Sequence, residues 1–211
     1  LAAYTCLQRA FLTLFGIWYS SDVDIFKMIT EGGLAYELCR PVNLYNMWFA
    51  NSLADRLSKA VLRSLIIITI SLLIPKPYGL RLPADVLAAV CFLITSCLSL
   101  IVTVAFALII YITAFYTYSP TGVKMMAVSV VEFLSGSIIP IPFMPDGVRQ
   151  FIELLPFASM QNVPLRVYSG NISGKEILLR AGIQLFWAVA LILIGKLMTN
   201  NAIKRVVVQG G

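Results

Sequence analysis

The sequence predicts an all-α fold, a polytopic bundle of transmembrane helices. Three observations carry that expectation. Apolar residues make up 59% of the chain, charged residues only 12%, and mean hydropathy is +0.88, whereas soluble domains run near 45–50% apolar and about 25% charged. The apolar residues gather into runs close to the roughly 20 residues that a helix needs to cross a hydrocarbon core of about 30 Å. Prolines stand between those runs or at their ends.

Five runs read as spans. The first is 1–19. The second is 57–75, where Leu53, Leu57 and Ala60 extend the apolar spacing backward. The third, 85–117, has no proline, no glycine and no charge after Asp85, so it reads as one tilted helix that overshoots the bilayer. The fourth and fifth are 123–139 and 177–198. The chain opens on Leu1, inside an apolar run, so a preceding span is expected as well. The whole reads as a single membrane domain, with a cytoplasmic loop at 20–56 and an outer loop at 140–176.

Lysine and arginine near span ends set the orientation. The 20–63 loop, the 117–124 loop and the C-terminal tail together hold nine such residues, and the opposite side holds six. The long first loop and the C-terminus are therefore expected in the cytoplasm. The net charge of +6 fits basic cytoplasmic edges, and no basic-aromatic stripe points to nucleic acid. Cys6, Cys39, Cys91 and Cys97 form no C-x-x-C pair and read as free thiols.

Chemistry is hard to place in this chain. There is no histidine, which removes histidine-based nucleophile systems and H-E-x-x-H zinc sites. No catalytic residue and no metal site is expected. Asp22 and Asp24 sit where acids offset the dipole of a starting helix. GNISGKE, 170–176, has three residues between its glycines and a glutamate after its lysine, which fails the phosphate-loop pattern. Ser173 and Glu176 instead suggest a capping box ahead of the fifth span.

Ionisable side chains at membrane depth are functional candidates by default. Glu132 falls within the fourth run and Arg9 within the first. They either pair with each other or line a polar path, or else Glu132 makes a structural interhelix bond and Arg9 snorkels to the interface.

The cytoplasmic loop divides into short helices. Ser21 and Asp22 can cap a piece ending near Ile29 and stopped by Gly32-Gly33, and residues 34–39 form a second, ended by Arg40-Pro41. A third, from Asn43, carries Leu44, Met47, Trp48 and Phe49 and is expected to ride the interface before turning into the second span. Such a knob offers a handle for another protein.

The stretch SGSIIPIPFMPDG, 135–147, places Pro140, Pro142 and Pro145 within six positions, each costing roughly 3 kcal/mol in a helix interior. These prolines are expected to stop the fourth span. Val148, Phe151, Ile152 and Leu155 then recur at helical spacing before breaks at Pro156 and Pro164. Proline-bounded amphipathic pieces can dip into a bilayer where protein covers their backbone. A re-entrant outer cap is one reading of this region and a loop packed only for stability is the other.

Four stretches carry a family resemblance: GGLAYELCRPVNLY, EFLSGSIIPIPFMPDGV, LLPFASMQNVPLRVYSGNISG and the closing KRVVVQGG. Together they resemble the type-2 permease class of ATP-binding-cassette (ABC) exporters over essentially the whole chain. The resemblance implies six spans, so five are visible here, together with a cytoplasmic coupling helix at 31–41 and outer re-entrant helices at 140–168. It implies ABC ATPase subunits as partners, which bind ATP and Mg themselves, and a second permease, the same or different, in the bacterial plasma membrane. No cofactor is expected in this chain. On this reading Tyr36, Glu37 and Arg40 meet the ATPase, within a coupling segment that includes Glu31 and is shaped by Gly33 and Pro41. Pro140, Pro142, Pro145 and Pro156 form the outer gate. A non-transporting membrane scaffold or assembly protein is the alternative.

Overall fold

A computed structural model of the protein describes residues 25, 28–29, 33–73, 86–117, 120–139, 141–172 and 174–204. Among these the fold is all-helical, as expected. The helices are α1 (Leu34–Leu38), α2 (Leu44–Leu73), α3 (Val86–Ile112), α4 (Pro120–Leu134), α5 (Asp146–Leu154), α6 (Pro156–Tyr168) and α7 (Lys175–Ile203), with 3-10 turns at Thr113–Phe115 and Ile141–Phe143.

α3 is the axis of the bundle. It packs most extensively on α7 and α6, and also meets α2 and α4. Val102, Thr103, Val104, Ala105, Ala107, Leu108, Ile110, Tyr111 and Ile112 are all buried, so its second half is covered on every side, as an apolar all-round helix requires. α7 is one-sided: Gln184, Ala188, Leu191, Gly195, Thr199 and Ala202 form its buried stripe at spacings of three and four.

Directions follow from contacts. The Trp48 ring stacks on Phe115, with centroids 6.5 Å apart, so α2 begins where α3 ends. Gln184 bonds Thr95 and Ser99, while Tyr116 donates to the Met198 carbonyl at 3.3 Å; α3 and α7 therefore run parallel. Lys124 lies 5.7 Å from the Tyr111 ring centroid, which puts the start of α4 beside the end of α3. One end thus gathers the starts of α2 and α4 and the finishes of α3 and α7.

Among the described residues two helices are long and apolar enough to cross a membrane, Val86–Phe115 and Lys175–Ile203, and they match the expected third and fifth spans. The expected 1–19 span lies outside the described residues. α2 has the length, 30 residues, but carries Asp55, Arg56, Lys59 and Arg63 in its middle. α4 has 15 residues, about 22 Å at 1.5 Å per residue, short of a hydrocarbon core.

Three local expectations are corrected, and a fourth falls partly outside the described residues. The expected interfacial helix from Asn43 does not turn before the second span. α2 is continuous, started by Asn43, whose Oδ1 accepts from the Asn46 amide at 3.2 Å, and nothing in the sequence that follows interrupts it. α4 ends at Leu134, ahead of the proline cluster. The Ser137 amide reaches back to the Glu132 carbonyl at 3.2 Å around Gly136, whose φ is +83°; this is the Schellman arrangement that terminates a helix through glycine. α6 runs through Pro164. The lost amide bond and ring clash are overridden by packing, since every residue from Ala158 to Leu165 is buried. Finally, the residue before α7 is Gly174; Ser173 of the expected capping box lies outside the described residues, and Glu176 stands 3.5 Å from Arg180.

Candidate functional site

The first candidate region is the knob at the end of the bundle where α2 starts and α3 and α7 finish. α1 is five residues long, with Gly33 before it and Cys39 after it. Tyr36 is 86% exposed, whereas Leu34 is buried, so the short helix is anchored on one side and bare on the other. Arg40 stands 4.0 Å from the Glu37 carboxylate, with its side chain well exposed, and its Nη1 touches Met47 Sδ at 3.9 Å. Pro41 is exposed at the bend. Glu31 lies outside the described residues. The structure thus brings Gly33, Tyr36, Glu37, Arg40 and Pro41 into one protrusion just before α2.

That protrusion has a rigid base. Tyr45, Trp48, Ser52, Arg56 and Ala60 form one fully buried stripe on α2. The Tyr45 ring stacks on Phe49, with centroids 6.0 Å apart, and lies against Gly195 of α7, where an added Cβ would stand 2.6 Å from Tyr45 Cε2. Burial pushes the Tyr45 hydroxyl up from 10.0 to about 12. Arg56, one of the basic residues of the 20–63 loop, has a side chain that is wholly buried.

The second region is the pair α5–α6. Phe157 meets Phe106 edge to face at 5.3 Å, and Tyr168 meets Phe92 at 5.2 Å, so α6 lies antiparallel along α3. Fourteen residues of α3 separate those contacts, about 21 Å along the helix axis. The α5–α6 corner is therefore inserted into the bundle alongside α3, with Trp187 Nε1 donating to the Leu154 carbonyl at 2.9 Å. Pro145 is the exposed N-cap of α5 with ψ 145°, and Pro156 is the buried first residue of α6, a position where the missing amide costs nothing. Pro142 contributes backbone to the 3-10 turn, and Pro140 lies outside the described residues.

Between α3, α6 and α7 sits a buried polar node. Gln184, fully buried, donates from Nε2 to Ser99 Oγ at 2.9 Å and to the Ser159 carbonyl at 3.0 Å, and reaches the Thr95 carbonyl at 3.3 Å. Ser99 Oγ also donates to the Ser159 carbonyl at 2.8 Å. Gln184→Leu is expected to cost only about 1 kcal/mol, because the lost bonds are offset by removal of a buried amide oxygen that has no partner among the described residues. Thermal unfolding in detergent measures it; a loss several times larger would show that the node, not the apolar contact, holds α6.

Charged residues complete the region. Glu153 of α5 accepts from Arg166 of α6 at 2.7 Å and from Arg180 of α7. These residues escaped the sequence reading, although a signal existed: Arg180 and Gln184 fall inside the 177–198 run, where the argument applied to Glu132 holds equally. Glu132 itself stands exposed on α4 and forms no ion pair with another described residue. Arg9 lies outside the described residues.

No curated protein and no solved structure matches the chain significantly. The family model described as ABC-2 family transporter protein matches residues 5–210, which takes in the knob, the inserted helix pair and both long apolar helices. This chain therefore belongs to the ABC-2 transporter family of membrane proteins.

Proposed function

We propose that the chain is the permease subunit of an ABC exporter, which couples ATP hydrolysis in a separate subunit to movement of substrate across the bacterial plasma membrane. The ATPase subunits bind ATP and Mg, and the chain works as a dimer with a second permease, the same or a different one. The observation that carries this reading is the bare face of α1, seated where α2 starts and where α3 and α7 finish. The finish of α7 at Ile203 shares that end, and on this reading the C-terminus lies in the cytoplasm.

Mechanism follows from stiffness. Closure of the ATPases on nucleotide displaces α1. The Asn43-capped start of α2 follows at once, and its buried stripe passes the displacement to α3 through Trp48 and to α7 through Tyr45. α7 carries it to the α5–α6 pair, which dips into the outer half of the membrane and gates the exit. Pro145 and Pro156 set the ends of the two gate helices. Motion of this kind needs two packings of one bundle, biased by nucleotide.

The test reverses the sign pattern of the knob. The Glu37–Arg40 pair is long, at 4.0 Å, and although the Glu37 side chain keeps only 14% of its exposure, that of Arg40 keeps 64%. Such a contact is worth at most about 1 kcal/mol to the fold, and Glu37→Lys with Arg40→Glu keeps one charge of each sign at the two positions, so folding should stay intact. Co-purification with the cognate ATPase is expected to fall at least about tenfold, the equivalent of one charge-assisted bond, and nucleotide-driven transport with it. Unchanged association and transport would eliminate the coupling role. A complex that assembles yet shows no nucleotide-linked activity in vesicles favours a scaffold.

A further inference from the structure

α5, α6 and α7 converge on one carboxylate. Glu153, on the last turn of α5, is shared by Arg166 Nη1 and Arg180 Nη2, and the three side chains keep only 10%, 15% and 16% of their exposure. Arg180 also stands 3.5 Å from Glu176, one turn earlier on α7 and more open to solvent.

α5 is otherwise lightly held to the bundle. Its buried residue Ile152 belongs to a small cluster with Ile141, Met144 and Ala158, apart from the main core. Its backbone approaches α6 and the 3-10 turn before it, with little contact to α7. It reaches α7 through side-chain bonds, the Glu153–Arg180 pair and the Leu154–Trp187 bond. α6, by contrast, is buried along α3.

We propose that Glu153 is an electrostatic latch that holds α5 against α7, and that its release lets α5 swing out while α6 stays packed. The charge arrangement permits release without stranding a buried ion, which is the large cost of breaking such a pair. When Arg180 leaves Glu153 it still has Glu176 beside it, and Glu153 keeps Arg166. Both positions of α5 are thus electrostatically complete, the condition for a two-state element. That the swing opens an exit for cargo rests on the permease reading; the latch itself does not.

The experiment therefore uses the full chain alone, in nanodiscs, without ATPase or cargo. Cys6, Cys39, Cys91 and Cys97 are replaced by serine, and spin labels are placed at Gln150 on α5 and Leu179 on α7, both exposed. A control pair sits at Leu93 on α3 and Leu185 on α7, also exposed. Glu153→Gln is expected to raise the population with the longer α5–α7 distance about tenfold, the worth of a charge-assisted bond, while the control distances stay fixed. Reversing all four charges, with Glu153→Arg, Arg166→Glu, Glu176→Arg and Arg180→Glu together, restores the original distribution. Unchanged α5–α7 distances in Glu153→Gln, or equal broadening of the control pair, would overturn the latch. If Glu153→Gln does not fold, Arg180→Lys serves: it keeps the charge but loses the guanidinium fork, and the same shift is expected, smaller in size. Because no transport is measured, a failed latch leaves the knob test standing, and a failed knob test leaves the latch standing.

Discussion

Replacing Gly195 by leucine is expected to unseat α7 from the start of α2 and to cost several kcal/mol of stability. The α7 stripe of Ala188, Gly195, Thr199 and Ala202 is built of small residues, which let membrane helices approach closely. At Gly195 the approach is as close as it can be: an added Cβ would lie 2.6 Å from Tyr45 Cε2, 2.9 Å from its hydroxyl and 3.0 Å from Cζ. The ring has little room to retreat, being 1% exposed and stacked on Phe49. Alanine is a poor test, since overpacking of about 1–3 kcal/mol is offset by the roughly 1 kcal/mol that alanine gains over glycine in a helix. Leucine removes the ambiguity, because its extra volume far exceeds what a small ring shift can admit. Thermal unfolding of the purified chain should show the loss, and Tyr45→Ala in the same molecule should recover part of it by opening the space the leucine needs. Failure of that rescue would mean the two residues do not meet.

The same contact has a pH signature. The Tyr45 hydroxyl is raised from 10.0 to about 12 by burial, so the folded state holds its proton more tightly than the unfolded chain. Its contribution is complete below pH 10 and is lost as pH climbs from 10 toward 12, up to about 1.4 kcal/mol per pH unit. Tyr45→Phe should flatten that stretch of the stability profile. It should also do no harm at neutral pH, because the hydroxyl is buried without a partner among the described residues.

Helix type and the long apolar runs were legible because hydropathy reports burial over many residues at once. The third and fifth runs appear as Val86–Phe115 and Lys175–Ile203, shifted by a few residues at their ends. The knob was legible too, since Gly33 and Arg40-Pro41 punctuate the chain and α1 falls between them. What one sequence could not reveal was the partner of each residue. Gly195 looks like any other glycine in an apolar run until Tyr45 is seen 150 positions away in the chain. Glu153, Arg166 and Arg180 scatter over three helices, and only the insertion of α5–α6 beside α3 gathers them. The intrinsic cost of proline does not decide where these helices end: burial outweighs it at Pro164, and at the end of α4 a glycine acts before any proline is reached.

That glycine supplies the second large effect. Gly136→Val is expected to destabilise the α5–α6 region by about 2–5 kcal/mol, the sum of two separable terms. The first is conformational: φ at Gly136 is +83°, a region that costs a side-chain-bearing residue roughly 1–2 kcal/mol and a β-branched one more. The second is steric: a Cβ there would lie 2.9 Å from Ile141 Cγ1 and 3.2 Å from the Ile141 amide nitrogen, and overpacking of this kind costs about 1–3 kcal/mol. Ile141 is completely buried and anchors the small cluster under α5, so it cannot yield without moving that helix. Gly170 isolates the first term. It closes α6 in the same manner, with φ +74° and the Asn171 amide on the Arg166 carbonyl at 3.0 Å, but a Cβ there meets nothing within 4 Å. Gly136→Ala should therefore cost more than Gly170→Ala, and the difference measures the press of Ile141. Pro145→Ala, at an exposed cap, should cost under about 1 kcal/mol. Were the proline substitution the damaging one and Gly136→Val mild, the turn after α4 would be held by its prolines after all, and the Schellman end would be incidental to where that helix stops.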